Sequence, residues 1–274
     1  MITPAHAAHF RRHGFCVIEL IDTLALAKQR DALLQGLRHV LDSSATLERY
    51  HRLVSSQDQH DKIQIELTRQ LRALPHLHQL LHDNQSLFTC LVGEDMLAQR
   101  EPYLRIVRPG RDGDSIGYHR DTFYGGSPYE ISLVIPFVDL DAGNTLRVQP
   151  DSHTIPETAI PLIQIASRNV QKGSAKHKLG FLYAPKVIDP AYPLKMHPVP
   201  LRFGQILAFS LATLHGTTSN DSTVTRWSTD LRIINQFAPV DLSARPTYYQ
   251  PCLNSPATAI AQAYQATNQA SHRV

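Results

Sequence analysis

The 274-residue chain is 42% hydrophobic and 19% charged, with a formal net charge of +3, a balance that suits a packed globular core and excludes a fibrous or disordered polymer. The small basic excess contains no Lys/Arg block, which argues against nucleic-acid binding, and no apolar run approaches a membrane span. Three cysteines, Cys16, Cys90 and Cys252, make no C-x-x-C pair, and the opening MITPAHAAHFRRHG lacks the apolar stretch of a secretory signal, so the chain reads as a reduced, cytoplasmic protein.

Residues 1–100 read as a helical support region. Thr3 is placed as the N-cap of a first helix that Gly14 interrupts. A short strand over 15–20 follows, then a helix over 23–41 carrying Leu24, Ala27, Leu33, Leu34, Leu37 and Val40 at helical period. Further helices fill 47–91 and break near Pro75. After Pro102 the texture becomes strand-like, with runs at 103–107, 131–138, 145–149, 206–210 and 226–237 separated by Gly, Pro, Asp and Asn. In the last run Arg226, Ser228, Asp230 and Arg232 alternate with Trp227, Thr229, Leu231 and Ile233. Alternation at period two sets opposite faces of a sheet. One reading is a strand with a solvent-facing side. The other is a polar interior, with the apolar face covered by the N-terminal helices. The second gives a mainly β, double-stranded β-helix (jelly-roll or cupin-like) barrel flanked by helices. It is expected as a single domain over 1–274, with its core over 101–240, an insertion at 153–200 and a tail over 241–274 ending in a helix near 257–266.

The segment IGYHRDTFYGG sets His119 and Asp121 two apart, so that both point to one side of an extended chain. A third ligand, His215, comes from LATLHGTTSN. Two imidazoles and one carboxylate leave open positions on an octahedral ion, the pattern of iron(II) oxygenases. The H-x-D spacing is weak alone, because 15 histidines give roughly one such spacing by chance. Arg226, on the polar face of the last strand, strengthens it. Its guanidinium suits the far carboxylate of 2-oxoglutarate, with Ser228 beside it as a second donor, while the keto-acid end chelates Fe(II).

The chain resembles the phytanoyl-CoA dioxygenase superfamily of Fe(II)/2-oxoglutarate oxygenases over nearly its whole length. The likeness runs through ITPAHAAHFRRHGFCVIELIDTLALAKQRDAL, YHRD, DLDAGNTLRVQPDSH and LRFGQILAFSLATLHGTTSNDSTVTR. It implies His119, Asp121 and His215 as iron ligands and Arg226 as the 2-oxoglutarate anchor, with O2 as co-substrate. Two departures stand out: Asp151 replaces the family's usual turn glycine, and Gly143-Asn144 reverses its Asn-Gly. HRDTFYGGSPYE with TRWSTDLR also looks like oxygenases of sugar and aminocyclitol antibiotic pathways of the streptomycin type, which favours a polar small molecule over a long acyl chain.

The expected reaction is hydroxylation of an unactivated C–H bond. Desaturation, cyclisation or epimerisation, or an amino-acid or peptide-derived substrate, are the alternatives. Asp121 argues against halogenation, which needs that position vacated. Tyr103, Arg105, Thr122, Tyr124, Gln149 and Arg232 are candidates for contacting substrate or co-substrate. The insertion, with Arg168, Lys172, Lys176, Lys178 and Lys186 against Glu157 and Asp189, reads as a lid or as a solvated face. A zinc hydrolase would also use two His and one Asp, but would not need Arg226 and Ser228, and no Glu base motif is evident. A non-catalytic cupin-like binding module would not need an intact set. Oligomeric state is left open.

Overall fold

The computed structural model describes residues 4–164, 186–243 and 245–271. A first helix, α1 (Pro4–His13), ends at Gly14, whose φ of +79° turns the chain into strand β1 (Phe15–Glu19). A Cβ at Gly14 would lie 2.5 Å from Thr213 Oγ1, so that close turn also requires glycine. Helices α2 (Leu24–Val40), α3 (Tyr50–Leu53), α4 (Gln57–Ala73), α5 (His76–Asp83) and α6 (Gln85–Val92) follow. Leu26, Leu33 and Leu37 of α2 and Ile63, Leu67 and Leu71 of α4 form buried stripes at helical spacing. Ser56 caps α4 by accepting from Gln59 N–H, and Pro75 separates α4 from α5.

The strands are β2 (Met96–Gln99), β3 (Tyr103–Val107), β4 (Ile131–Pro136), β5 (Arg147–Val148), β6 (Leu162–Gln164), β7 (Lys186–Ile188), β8 (His197–Pro198), β9 (Gln205–Ser210), β10 (His215–Gly216), β11 (Arg226–Asn235) and β12 (Tyr249–Leu253). Seven form one antiparallel sheet in the order β1-β9-β4-β11-β2-β12, with β3 also paired to β11; a second sheet is β10-β5-β8. Side chains of both sheets line one cavity. This is the double-stranded β-helix arrangement expected from the alternating runs.

β11 organises the molecule. One edge pairs with β4, and the other pairs first with β3 over Arg226 to Asp230 and then with β2 from Ile233. Between those two partners the main-chain ladder is interrupted, and the Gln99 side chain accepts from Arg232 N–H at 3.1 Å in its place. Arg226, Asp230 and Arg232 face the cavity. Trp227 faces the helices, donating to Leu47 O at 2.7 Å and meeting Tyr50 edge-on. The polar face of β11 is therefore interior, and the solvent-facing reading of it fails.

Several expectations need adjusting. Thr3 and the basic residues Arg168, Lys172, Lys176 and Lys178 lie outside the described residues, as does the side chain of Lys186. The helical region contains β2, a short run with no alternation to mark it. The tail contains β12, masked by Pro251, before the helix α7 (Pro256–Ser271). The run at 145–149 shortens to two strand residues. At the base of the insertion, Ile160 and Ile188 pack with Leu214 beside Tyr118 and Phe123. No helix among the described residues is long and apolar enough to cross a membrane.

Candidate metal centre

His119 and His215 sit opposite each other in an isolated antiparallel bridge. Each backbone N–H donates to the other's carbonyl at 2.9 Å, a pairing that projects both side chains to the same side. The ring centroids are 4.4 Å apart. Close approach of the two segments needs Gly216: its φ is +147°, and a Cβ there would lie 2.6 Å from Gly117 O. Asp121 follows the extended residue Arg120 and opens a 3-10 turn over Asp121–Tyr124. Arg120 points the opposite way, its guanidinium bonded to Ser152 O and Ile155 O. The H-x-D spacing works as its geometry predicts.

His119 Nδ1 lies 2.7 Å from Gly117 O, and His215 Nδ1 lies 2.9 Å from Thr213 O. A nitrogen facing a carbonyl carries a proton, so Nδ1–H ties each ring to the backbone and leaves Nε2 as the atom available to a metal. Burial, followed by the neighbouring His119, pushes the His215 imidazole down to about 4, which keeps it neutral. Burial would raise the Asp121 carboxyl, but Arg232 and the two imidazoles outweigh it and hold the group well below the usual carboxylate range. Two imidazoles and a carboxylate offer ligand atoms that all lie within 4.8 Å of one another. That donor set fits a divalent transition metal with positions to spare.

Arg226 supplies a second fit. It is 5% exposed, its Nε donates to Ser228 Oγ at 3.3 Å, and its Nη1 has no partner. Burial lowers its pKa to about 10, so it stays charged at neutral pH. A buried guanidinium N–H without an acceptor is costly unless a ligand fills it. The cavity it enters, about 320 Å³, also takes in His119, Asp121 and His215.

A model of the phytanoyl-CoA dioxygenase family matches residues 10–228. The chain belongs to that family. As a family member it is a 2-oxoglutarate-dependent non-haem iron oxygenase, with Fe(II), 2-oxoglutarate and O2 as its cofactor and co-substrates. No curated protein sequence matches it significantly. Among solved structures it is similar to EvdO2 from Micromonospora carbonacea var. aurantiaca complexed with 2-oxoglutarate, with TM-score 0.55 and 15% identity over 88% of this chain and 94% of that one. Another structure of EvdO2 gives TM-score 0.54 at 15% identity, over 86% and 91%. AviO1 from Streptomyces viridochromogenes Tue57 is a looser likeness, at TM-score 0.48 and 16% identity over 86% and 96%.

The remaining family-site expectations divide. Tyr103, Arg105 and Arg232 line the cavity. Arg105 pairs with Asp230 at 2.6 Å and stacks over Tyr103. Arg232 pairs with Asp121 and Glu130 rather than with its strand neighbour Asp230. Thr122, Tyr124, Gln149 and Ser228 are absent from the lining. Thr122 donates to Glu157, Tyr124 lies beside His119, and Gln149 accepts from Lys195 N–H. Ser228 steadies Arg226 from behind the cavity. The sequence reading missed Glu130, fully buried and bonded by the Tyr249 hydroxyl. It also missed Asp114, which lines the cavity and is gripped by the buried Arg108 at 2.7 and 2.9 Å. A single acid beside an apolar run carries no distinguishing spacing. Asp151 keeps the turn of the glycine it replaces: it adopts φ 61°, ψ 0°, and its carboxylate bonds His13.

Proposed function

We propose that the chain hydroxylates an unactivated C–H bond of an uncharged, polar small molecule of sugar or cyclitol type. In this reading His119, Asp121 and His215 hold Fe(II), and Arg226, steadied by Ser228, binds the distal carboxylate of 2-oxoglutarate. The observation that carries it is the partnerless Nη1 of buried Arg226, opening into the same cavity as the triad. EvdO2, which shares the fold, has been solved in complex with 2-oxoglutarate.

Bound there, iron with 2-oxoglutarate supplies O2 activation; the overall balance takes O2, 2-oxoglutarate and R–H to succinate, CO2 and R–OH. The protein's part is to orient and to exclude water. His119 and His215 present their Nε2 atoms, held in orientation by the carbonyl-bound Nδ1 protons. Asp121 contributes the carboxylate that a halide would otherwise replace. Arg226 sets the angle of the keto acid by gripping its far end. The other charges of the cavity neutralise one another: Arg105 with Asp230, Arg108 with Asp114, and Arg232 and Arg245 with Asp121 and Glu130. A charged substrate would have to break one of these pairs; a polyol would not.

The test adds Fe(II) and 2-oxoglutarate anaerobically, admits O2, and measures succinate with neutral sugars, aminocyclitols and acyl thioesters. Succinate formation stimulated by a neutral polyol, with matching hydroxylated product, is expected. Absence of succinate under every condition, together with wild-type 2-oxoglutarate binding by Arg226→Ala, would overturn the assignment.

A further inference from the structure

Asp121 has two carboxylate oxygens, and the fold treats them differently. Oδ1 lies 3.5 Å from His119 Nε2, on the side where the ligand atoms converge. Oδ2 accepts from Arg232 Nη2 at 2.9 Å. The guanidinium is held on its other side: Arg232 Nη1 lies 3.6 Å from Glu130 Oε2, and that oxygen also accepts the Tyr249 hydroxyl at 2.5 Å. Glu130 Oε1 accepts from Ser127 N–H at 3.0 Å and lies 3.6 Å from Arg245 Nη2. The Arg232 backbone N–H is bonded to Gln99. The guanidinium is thus fixed at its backbone and at both ends of its fork, with Glu130 wholly buried behind it.

From this arrangement we infer that Arg232 is a positioning residue that restricts Asp121 to one-oxygen ligation of the metal. The inference rests on the ligand assignment above. Three one-atom ligands leave three of six positions on an octahedral ion, two for the keto acid and one for O2. A carboxylate binding through both oxygens would take one of those three. Arg232 occupies Oδ2 and closes that alternative, while Glu130, Tyr249 and Ser127 stop the guanidinium from following the substrate. Arg232 therefore acts on the chemistry through Asp121, although it also borders the cavity.

The experiment uses the full chain and reads binding rather than turnover. Fe(II) is added anaerobically to wild type, Arg232→Gln, Arg232→Lys and Glu130→Gln, followed by titration with 2-oxoglutarate. The visible charge-transfer band of the iron–keto-acid complex reports both affinity and coordination. In Arg232→Gln, 2-oxoglutarate affinity is expected to fall about tenfold to a hundredfold, with a shifted band and Fe(II) affinity that holds or rises. Lysine restores the charge without the fork and should recover part of the loss. Glu130→Gln keeps the shape, remains informative where Arg232→Gln fails to fold, and should shift the band in the same direction. An unchanged band and affinity in folded Arg232→Gln, or in Glu130→Gln where Arg232→Gln does not fold, would overturn the positioning role alone. Failure of wild type to form the band would instead overturn the ligand assignment beneath it.

Discussion

Arg226 is a buried charge whose Nη1 has no partner. Its burial is an expense to the empty protein, so Arg226→Met should leave the melting temperature of metal-free protein unchanged or higher. The same variant should weaken 2-oxoglutarate binding about a hundredfold, the loss of a charge-assisted bond, and abolish the thermal stabilisation that 2-oxoglutarate gives wild type. Calorimetric titration and melting curves check both; a destabilised apo-protein with unaltered 2-oxoglutarate affinity would reassign Arg226 to the core. The inward placement of this residue was readable in advance, because period-two alternation put it on the polar face of its strand. Arg232 stands on the same face and was a candidate for contacting substrate or co-substrate. Its partners, Asp121 and Glu130, lie about a hundred residues away in sequence, a separation across which strand alternation gives no register.

At the level of elements, the bridge between the His119 segment and β10 depends on two glycines with opposite tolerance. Gly216→Ala would push a methyl into Gly117 O, whereas a Cβ at Gly117 meets nothing within 4 Å. Fe(II) affinity, measured by anaerobic titration, should collapse in Gly216→Ala and survive in Gly117→Ala; equal losses would mean the bridge is not what aligns the imidazoles. The loop that leads to His119 is clipped to the helices by Arg108, which bonds Asp114 and the carbonyls of Val54, Ser55 and Ser56. Asp114→Asn should cost about 3 to 5 kcal/mol at neutral pH by stranding the buried guanidinium. Burial would raise the Asp114 carboxyl, but Arg108 and His60 hold it below its ordinary value. A depressed carboxylate stabilises the fold above the unfolded value, about 4, and loses that contribution as pH falls through the folded one. Urea melts of wild type and Asp114→Asn should therefore diverge at pH 7 and approach each other in acid below about pH 4. The helices α2 and α4 and most barrel strands were legible from periodicity. β2 and β12 were not, because β2 is buried at every position and so lacks alternation, and Pro251 interrupts β12.

For the molecule as a whole, β11 divides labour between its faces. Trp227→Phe should remove the bond to Leu47 O and lower stability by about 1 to 2 kcal/mol, with no change in 2-oxoglutarate affinity. That is the inverse of the pattern expected for Arg226→Met one residue away. Denaturant melts paired with ligand titrations on the two variants check the division, and coupled losses in both would show that the faces are not independent. The family resemblance was legible from ordered motifs spread along the chain, whereas the charge pairing around the cavity was not, because its partners lie far apart in sequence.

The interruption where β11 passes from β3 to β2 has an architectural meaning. Gln99, bonded to Arg232 N–H and to Glu101 O, spans the seam. Gln99 and Tyr103 border the cavity on either side of it. Residues 100–102 thus form an expansion joint in the wall: lengthening or shortening them would reshape the substrate chamber while β11, and the arginines it carries, kept its register.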